Sequence, residues 1–508
     1  MSGFTPIPLG QPIPPTPHAV SCSLPTLRAV RGYEEKNPEI TAHISSGYPR
    51  FVVHPFVRQL ADHLSAGMGL AGQRLWLTSS AAMAAALHRH LAQPPSDAPG
   101  GESETSLFSA DGMHGVVHAD TADLSGRAKL FLQNVGGFMS SREAEDRLAR
   151  RGLAREVRGE KLFAGDADEE VRRNLRHVLP MADDHDIFLV NSGMNAVYSA
   201  FCAASELQAV RGRTVWVQLG WLYLDTIAIM RRFTATPDDY VYLHDVFDLA
   251  ALESLFAEKG ARIAGLITEI PTNPLIQTPD VSALAALCQR HGAILILDPS
   301  VASLFSANLL PHADMVVSSL TKFTGNEGDV MAGVVAINSA RPDAAELRRS
   351  VCARIEPVYP RDLARLAAQI GETEAVLSLI ASTTPQVAAF LTSHPMVKDV
   401  FWALSPSSCA NYNRIAWRPN AVGGMITFTL RGPLETFYDR VRLPKGPSFG
   451  MRKTLICPFM YLAHYDLVST PAGRAELAES GLDPDLLRLS VGTEPAVDIV
   501  SALAEALE

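Results

Sequence analysis

A single lysine, Lys322, stands in the stretch SSLTKFTGNEGD (residues 318–329), directly after the apolar run ADMVVSS. Burial disfavours the charged form of a lysine, and a neutral amine is a good nucleophile for carbonyl compounds. Ser319 and Thr321 add hydroxyl groups that can hold a phosphate beside that amine. Considered alone, the stretch also fits a surface lysine whose stem lies along apolar groups. Its full composition predicts a Schiff base between Lys322 and a phosphate-bearing carbonyl compound.

Three other features place polar groups just beyond a predicted strand. The stretch LVNSGMNAV puts Ser192 and Gly193 ahead of a helix whose first N–H groups can hold an anion such as phosphate. Asp298 ends the apolar run AILILD, so its carboxylate should be buried and should need a cationic or hydrogen-bonding partner. The stretch ITEIPTNPLIQTPD places Glu269 and Asn273 in a stiff, polar turn. Each feature alone is more typical of a helix cap or an ordinary turn.

Together, the four features match the needs of pyridoxal 5'-phosphate. This cofactor requires an amine for its aldehyde, an acid that keeps its pyridine nitrogen protonated, and donors for its phosphate. We therefore predict pyridoxal 5'-phosphate as the cofactor, with the imine at Lys322 and the ring nitrogen facing Asp298.

The elements that carry these groups alternate along the chain from residue 187 onward. Strand-like apolar runs (IFLVN, TVWVQL, YVYLHDV, IAGLITEI, AILILD and MVVSSL) are separated by helix-length segments such as DVSALAALCQRHG. This spacing predicts an α/β domain with a mostly parallel sheet, whose strands carry ligand-binding groups at their C-terminal ends. After about residue 372 strands and helices no longer alternate. A helix is followed by the strands GGMITFTLRG and KTLICPF and by the terminal helix AVDIVSALAEALE, and this order predicts a smaller α+β domain.

The first part of the chain has a different character. Residues 1–17 are rich in proline and predict an extended arm that wraps a neighbour. The segments FVRQLADHLSAGM and AAMAAALHRHLA have helical spacing, whereas residues 93–106 have the composition of a linker.

Composition excludes several classes of function. The 44 Lys and Arg against 54 Asp and Glu give a net charge of −10, so we expect no nucleic-acid or membrane partner. Six scattered cysteines without a C-x-x-C pair disfavour a zinc knuckle or a disulfide framework and favour the reducing cytoplasm. We find no targeting segment and no stretch as long as a membrane span. His88 and His90 lack a nearby third ligand, so we predict no metal site.

These segments resemble the trans-sulfuration family of pyridoxal-phosphate enzymes, which contains cystathionine γ-synthase, cystathionine lyases and O-acylhomoserine sulfhydrylases. Its signature is an Asp that ends a strand, then Ser-x-Thr-Lys and a glycine-bearing stretch, and is similar to Asp298, SLTK and GNEGDVMAG here. TEIPTNP and NSGMNAV resemble two further family motifs. The resemblance covers residues 187–508 and implies fold type I, with a mostly parallel seven-stranded sheet in the large domain and a smaller C-terminal α+β domain.

The resemblance also implies roles for individual residues. Tyr48 and Arg50, in SGYPRF, correspond to a Tyr-x-Arg segment that reaches the cofactor phosphate of the adjacent subunit. Tyr223, in YLDT, would stack on the cofactor ring, with Trp221 as the competing candidate. Arg488 and Ser448 would bind the substrate carboxylate. The predicted catalytic residues are Lys322 and Tyr223, and the predicted cofactor-binding residues are Tyr48, Arg50, Ser192, Gly193, Met194, Tyr223, Asn273, Asp298, Ser300, Ser319, Thr321 and Lys322.

Spacing relative to the family predicts the domain layout. Residues 1–94 would form the arm and helices near a neighbouring active site, and residues 95–185 an insertion or linker region. Residues 186–372 would form the cofactor-binding domain and residues 373–508 the C-terminal domain. This layout is similar to the long fungal-type cystathionine γ-synthases.

The resemblance implies γ-replacement on an O-acylhomoserine, with cysteine as the thiol nucleophile, in a methionine-biosynthesis transferase. A cystathionine lyase or an O-acylhomoserine sulfhydrylase is the nearest alternative, and sequence spacing does not separate these. An inactive scaffold on the same fold is the alternative from another class. We also expect a homo-oligomer with shared active sites, most simply a homotetramer, that binds amino-acid substrates.

Overall fold

The computed structural model describes residues 3–46, 52–93, 104–154 and 159–508. Tyr48 and Arg50 lie outside these residues. The chain begins with a short antiparallel pair and two short helices: β1 (Pro12–Ile13), β2 (Ser21–Cys22), α1 (Leu27–Glu34) and α2 (Pro38–Thr41).

This N-terminal segment, residues 10–24, lies across loops from both later domains of its own chain. The backbone N–H of Val20 donates to the carbonyl of Gly328 (2.9 Å), and that of Leu24 donates to Lys445 (2.9 Å). The side chains of Val20, Cys22 and Leu24 are almost fully buried. Ile13, in the predicted arm of residues 1–17, is likewise buried against the small domain of its own chain. Contact of the arm with a neighbour stays a prediction.

A three-stranded antiparallel sheet with helices follows. Its elements are α3 (Pro55–Gly67), β3 (Gln73–Thr78), α4 (Ala81–Ala92), β4 (Thr105–Ala110), β5 (Met113–Ala119), α5 (Ala122–Val135) and α6 (Ser141–Arg150). The strand order is β3-β5-β4, so the sheet joins residues on both sides of the boundary that we placed at 94/95. The linker-like composition of residues 93–106 led us to place a boundary there. Such a stretch can equally connect a helix to the next strand of the same sheet. The helix α7 (Ala167–Val178) leads into the next domain.

A seven-stranded sheet forms the centre of the large domain. Its elements are β6 (Ile187–Val190), α8 (Gly193–Ala209), β7 (Val215–Leu219), α9 (Leu224–Phe233), β8 (Tyr240–Leu243), α10 (Leu249–Lys259), β9 (Ile263–Glu269), α11 (Val281–His291), β10 (Ile294–Asp298), β11 (Met315–Ser319), β12 (Gly333–Ile337), α12 (Ala344–Cys352) and α13 (Pro360–Ile370). The strand order is β6-β12-β11-β10-β9-β7-β8, and only β12 runs against its neighbours. The predicted mostly parallel seven-stranded sheet is confirmed.

Apolar side chains cover both faces of this sheet. Val217 and Leu295 enter the core on one face, whereas Trp216 and Ile296, one position along, enter the core on the other face. Successive residues of a strand point to opposite faces, so a strand that is covered on both sides must be apolar throughout. Polar groups are therefore confined to the strand ends.

The C-terminal domain has a four-stranded antiparallel sheet. Its elements are α14 (Thr373–Ser393), β13 (Val397–Trp402), α15 (Cys409–Ile415), β14 (Met425–Leu430), α16 (Leu434–Arg440), β15 (Leu455–Pro458), α17 (Phe459–Ala463), α18 (Tyr465–Val468), α19 (Pro471–Glu479), β16 (Leu487–Ser490) and α20 (Ala496–Leu507), with the strand order β13-β14-β16-β15. Contrary to our expectation, α14 is long and apolar enough to cross a membrane by length and composition alone. It packs on β13, β14 and α20, as core helices do.

Candidate active site

One cavity between the large and small domains collects most of the residues predicted from the sequence. It opens at the C-terminal ends of β9, β10 and β11 and at the start of α8, and the small domain closes it with a loop before β15, with α17 and with β16. The predicted site residues that line it are Gly193, Met194, Tyr223, Asn273, Asp298, Ser300, Ser319, Lys322, Ser448 and Arg488. This edge of the sheet is where open α/β sheets bind ligands.

Lys322 lies in the turn after β11 and points into the cavity. Its side chain is 9% exposed, and Nζ donates to the hydroxyl of Ser448 (3.1 Å). Nζ also lies 4.9 Å from the ring centre of Phe449, within the range of a cation–π contact. A buried amine is thus held at the domain boundary by contacts from the small domain.

Two carboxyl groups lie side by side beneath the cavity. Asp298 and Glu269 are direct neighbours at the ends of β10 and β9. Burial raises the pKa of Asp298 to about 6, although hydrogen bonds from Ser300 oppose this shift. Burial, and then the neighbouring Asp298, raise the pKa of Glu269 well above its usual range. Part of Asp298 faces the open cavity, where a protonated pyridine nitrogen would favour its charged form.

An anion cradle lies at the start of α8. Ser192 caps this helix, since its hydroxyl accepts from the N–H of Asn195 (3.1 Å). A Cβ on Gly193 would meet Cβ of Ser319 at 2.8 Å, so only glycine allows β11 and α8 to approach this closely. The N–H groups of the first helical turn thus face Ser319 across a narrow gap.

Two buried polar atoms at the cavity test whether pyridoxal phosphate fits. Oγ of Ser319 and Oδ1 of Asn273 are buried without a hydrogen-bond partner among the described residues. Such groups cost free energy unless a ligand or water satisfies them. Ser319 faces the anion cradle, and Asn273 follows Glu269 in the same turn. A phosphate at the cradle and a ring with polar substituents would satisfy both, so the residues fit the cofactor.

Arg488, in β16, provides the second cation of the cavity. Its guanidinium lies 5.1 Å from the ring centre of Phe449 and 4.6 Å from that of Phe459. It also donates to the backbone carbonyl of Ser448 (3.1 Å). Burial raises the pKa of the adjacent Cys457 thiol, and Arg488 partly offsets this. The guanidinium is therefore fixed in place, with its planar fork available for a carboxylate.

Ser448 connects the two cations. Its hydroxyl accepts from Lys322 and its carbonyl accepts from Arg488. Its φ angle is +86°, a left-handed conformation that is costly for a residue with a side chain. Strain of this kind is concentrated at ligand-binding sites, which agrees with the predicted carboxylate contact.

The structure distinguishes the two aromatic candidates for stacking on the cofactor ring. Tyr223 lines the cavity, and its backbone N–H donates to Oε1 of Glu269 (2.5 Å). Trp221 is not among the residues that line the cavity, and its indole N–H donates to Nε2 of His464 (3.0 Å). Of the two candidates, only Tyr223 lies at the cavity. Its stacking on the cofactor ring stays a prediction.

Two of the predicted residues that the structure describes, Ser192 and Thr321, do not line the cavity. Ser192 acts through the helix cap, and the hydroxyl of Thr321 bonds to the backbone of Ala332 inside the turn that carries Lys322. The predicted phosphate contact of Thr321 stays a prediction. Tyr48 and Arg50 lie outside the described residues.

Sequence reasoning missed the aromatic and apolar part of the wall. Phe449, Phe459, Leu462 and Ala463 all line the cavity. Phe449 follows Ser448 in the quoted stretch GPSFG, and an aromatic residue next to a predicted carboxylate contact was an available signal. The others depend on how α17 packs beside β15 and Arg488, which no local pattern indicates.

Comparisons with known proteins agree with this geometry. A family model described as Cys/Met metabolism PLP-dependent enzyme matches residues 172–508. The chain is 38% identical over 501 residues to an L-2-amino-4-chloropent-4-enoate dechlorinase/desaturase of Streptantibioticus cattleyicolor, covering 98% of each protein. It is 25% identical to a cystathionine gamma-synthase of Neurospora crassa, covering 99% of this chain and 98% of that protein.

A solved structure shows the same fold. The cystathionine gamma synthase of Xanthomonas oryzae pv. oryzae in complex with cystathionine superposes with a TM-score of 0.56 at 20% identity. The match covers 70% of this chain and 92% of that chain.

Proposed function

Because the chain belongs to the family of Cys/Met metabolism PLP-dependent enzymes, we propose that it catalyses γ-elimination on an L-α-amino acid whose γ carbon carries a small substituent that is uncharged until its bond to carbon breaks. Pyridoxal 5'-phosphate is its cofactor, as in the rest of the family. We propose chloride as the leaving group.

The composition of the cavity wall carries this proposal. Among the described residues that line the cavity, Lys322 and Arg488 are the only cations. Arg488 is assigned to the α-carboxylate and Lys322 to the cofactor. The side of the cavity formed by α17 presents Phe459, Leu462 and Ala463. A succinyl or phosphoryl group would place another anion against this apolar wall, which is costly without a partner. A carbon–chlorine bond carries no net charge until it breaks.

Similarity supports chloride over a neutral acyl group. The relative from Streptantibioticus cattleyicolor matches over nearly the whole of both chains, and its name places chlorine on the fourth carbon. That carbon is the γ carbon of an α-amino acid. The same class of substrate would suit the apolar wall of this cavity.

The residues of this chain then have definite tasks. When bound, the cofactor supplies an aldehyde that condenses with amines and a ring that accepts electrons from the substrate. Gly193 and Ser319 would hold its phosphate, and Asp298 would hold the proton on its ring nitrogen. Arg488 binds the α-carboxylate and so orients the Cα–H bond.

Proton transfer falls to Lys322. Once the substrate's amine has replaced that of Lys322 at the cofactor's aldehyde, the freed Lys322 amine would take the proton from Cα, pass it to the bound cofactor, and then take a proton from Cβ as a general base. The electron pair of the broken Cβ–H bond then forms a second bond between Cβ and Cγ, and chloride departs from Cγ with its own bonding pair. The apolar residues Phe459 and Leu462 keep water away from the carbon chain during this step.

A second candidate is γ-replacement on an O-acylhomoserine with cysteine. The full-length match to the Neurospora crassa cystathionine gamma-synthase favours it. An O-acetyl donor, which is uncharged, suits the cavity better than an O-succinyl donor. In that case the enzyme would be a transferase of methionine biosynthesis.

A substrate panel tests these candidates. Purified protein loaded with pyridoxal phosphate is given L-2-amino-4-chloropent-4-enoate, O-acetylhomoserine or O-succinylhomoserine, each with and without cysteine. Chloride release and the mass of the amino-acid product are then measured. We expect chloride release without cysteine; faster formation of cystathionine from an acylhomoserine would support the second candidate instead. Protein that stays colourless with added cofactor would favour an inactive scaffold.

We also propose that the protein acts in the cytoplasm as a homo-oligomer, in which Tyr48 and Arg50 reach the neighbouring active site. The resemblance of SGYPRF to the family's Tyr-x-Arg segment supports this. Sedimentation of the loaded protein at catalytic concentration tests it, and a monomer that turns over substrate would contradict it.

A further inference from the structure

A buried hydrogen bond joins the two domains beside the active site. Nε1–H of Trp221, a residue just after β7 of the large domain, donates to Nε2 of His464 in the small domain (3.0 Å). Their rings meet edge to face, with centres 5.0 Å apart. Trp221 is 9% exposed and His464 is 8% exposed. Burial lowers the pKa of His464 to about 4, so its ring is neutral near pH 7 and can accept this hydrogen bond.

The tryptophan ring belongs to the core of the small domain. It packs in the same apolar cluster as Ile426 of β14 and Phe459 of α17, although its backbone lies in the large domain. The large domain thus inserts one aromatic side chain into the other domain, and the indole N–H, which needs a partner when buried, finds one there.

Each partner lies next to a wall of the cavity. Trp221 precedes Tyr223 by two residues, and Tyr223 lines the cavity from the large domain. His464 directly follows α17, whose Leu462 and Ala463 line the cavity from the small domain. The first residue of α17, Phe459, packs its ring on the guanidinium of Arg488.

We propose that Trp221 and His464 are positioning residues that lock α17 against the large domain and thereby hold Arg488 in place for the substrate carboxylate. The bond fixes the end of α17, and α17 fixes Phe459 over Arg488. Breaking it would leave the chemistry at Lys322 intact but would weaken binding of the amino acid. The proposal rests on the proposed carboxylate site and does not depend on which leaving group departs.

Binding of an unreactive amino acid provides the test. L-norvaline has a carboxylate and an apolar side chain but no leaving group, and its binding can be followed by the change in cofactor absorbance. One net hydrogen bond is worth about 0.5–1.5 kcal/mol, so Trp221→Phe and His464→Phe should each raise the Kd of L-norvaline about two- to twelvefold. His464→Gln, which keeps an acceptor, should restore most of the affinity.

The chain contains a matched control. Nε1–H of Trp76 donates to Nε2 of His118 (2.9 Å), and both residues are buried in the N-terminal sheet away from the cavity. Trp76→Phe therefore loses the same kind of bond at a comparable cost in stability. It should lower Tm to a similar extent and leave the Kd of L-norvaline unchanged.

Each possible result of these binding measurements either supports or contradicts the proposed positioning role. An unchanged L-norvaline Kd in cofactor-loaded Trp221→Phe, or an equal rise in Trp76→Phe, would overturn the proposal. If Trp221→Phe does not fold, equal affinities of His464→Gln and His464→Phe would overturn it. The double variant with both Phe substitutions should bind no more weakly than either single variant, because the two residues act through one contact. If the protein catalyses no elimination but its variants show these changes in Kd, only the proposed function is disproved.

Discussion

Lys322 and Arg488 place two cations in one cavity with largely apolar walls. The ring of Phe449 lies 4.9 Å from Nζ of Lys322 and 5.1 Å from the guanidinium carbon of Arg488. Ser448 bonds to both side chains. Two cations that share a ring and a serine repel each other in a medium of low dielectric constant unless anions join them. The phosphate of the cofactor and the carboxylate of an amino acid would supply those anions.

Replacing Lys322 with Ala should lower kcat by at least about a hundredfold, since a positioned general base contributes about 10²–10⁴ to the rate. The same change removes the amine that anchors the cofactor, so the visible absorbance of the purified protein should fall. Lys322→Arg keeps a cation near Ser448 but cannot provide a neutral amine, and should be equally inactive. Measured kcat within about tenfold of wild type in either variant would contradict the role of Lys322.

Asp298→Asn should change how the stability of the cofactor-free protein depends on pH. The folded-state pKa of Asp298 is raised to about 6 by burial, so the folded protein binds this proton more tightly than the unfolded chain does. Stability is then lost as pH rises from about 4 through about 6, by roughly 1–3 kcal/mol. Wild type should therefore lose more unfolding free energy between pH 5 and pH 7.5 than Asp298→Asn does.

Denaturant titrations of both cofactor-free proteins at pH 5 and pH 7.5 measure this difference. Glu269→Gln serves as a comparison, because Glu269 is the neighbour whose pKa rises with that of Asp298. Identical pH dependence in wild type and Asp298→Asn would show that the carboxyl group titrates normally.

At the scale of elements, the anion cradle depends on the close packing of two helices. Gly136 ends α5 with a φ of +70°, and a Cβ there would meet Oγ of Ser192 at 2.2 Å and the backbone N of Asn195 at 2.8 Å. The side chain of Asn191 donates to the carbonyl of Gly136 (2.8 Å). The N-terminal region thus supports the start of α8 from behind, and the phosphate site depends on a helix far from it in sequence.

Gly136→Ala should destabilise the protein by about 2–4 kcal/mol, because the strain of a positive φ adds to a clash with the backbone of α8. Gly152→Ala is the matched control, since its φ is +69° and the space around it is open. That control should cost only about 1–2 kcal/mol. Denaturant unfolding measures the stability, and cofactor retained after dialysis measures the cradle; equal losses in both variants would contradict the close-packing role of Gly136.

The sequence predicted elements where the apolar pattern was continuous. The runs ending at Asp298 and Ser319 became β10 and β11, and the helix predicted from AAMAAALHRHLA is α4. The strand β12 was missed because it begins with glycine and follows the loop GNEGDVMA. The sheet β3-β5-β4 was missed because β4 is largely exposed and its alternation is weak.

Part of the candidate active site could also be predicted from the sequence. Groups carried at the ends of parallel strands converge by topology, so Asp298 and Ser319 could be expected to meet. The aromatic rings around Arg488 could not, because Phe449, Phe459 and Arg488 come from three segments of the small domain that meet only through its sheet and α17. The link between Trp221 and His464 likewise depends on domain packing.

At the scale of the molecule, a buried ion network ties the N-terminal region to the large domain. Arg142 of α6 is 1% exposed and donates to Asp362 of α13 (2.9 Å) and to Glu160 (2.8 Å). It also donates to the backbone carbonyl of Asp329 (2.7 Å), in the loop after Lys322. One side chain therefore links three segments, one of which is the loop that follows Lys322.

Arg142→Ala should lower the unfolding free energy by about 3–5 kcal/mol, because it leaves buried carboxylates without their cation. Arg173→Ala, which breaks an ion pair with Glu170 at an exposed position, should lower the unfolding free energy far less, because water screens that pair. Denaturant unfolding of both variants measures the difference. If both variants lost the same unfolding free energy, the buried network would stabilise the protein no more than a surface ion pair does.

The N-terminal segment of residues 10–24 has a consequence for how the protein is made. Val20 bonds to Gly328 and Leu24 to Lys445, so both partners are synthesised hundreds of residues later. At about 5–20 residues per second, a nascent chain waits tens of seconds before this segment can reach its final place. Proline cannot donate to a strand ladder, so the proline-rich stretch is a poor template for β-pairing with other nascent chains during that wait.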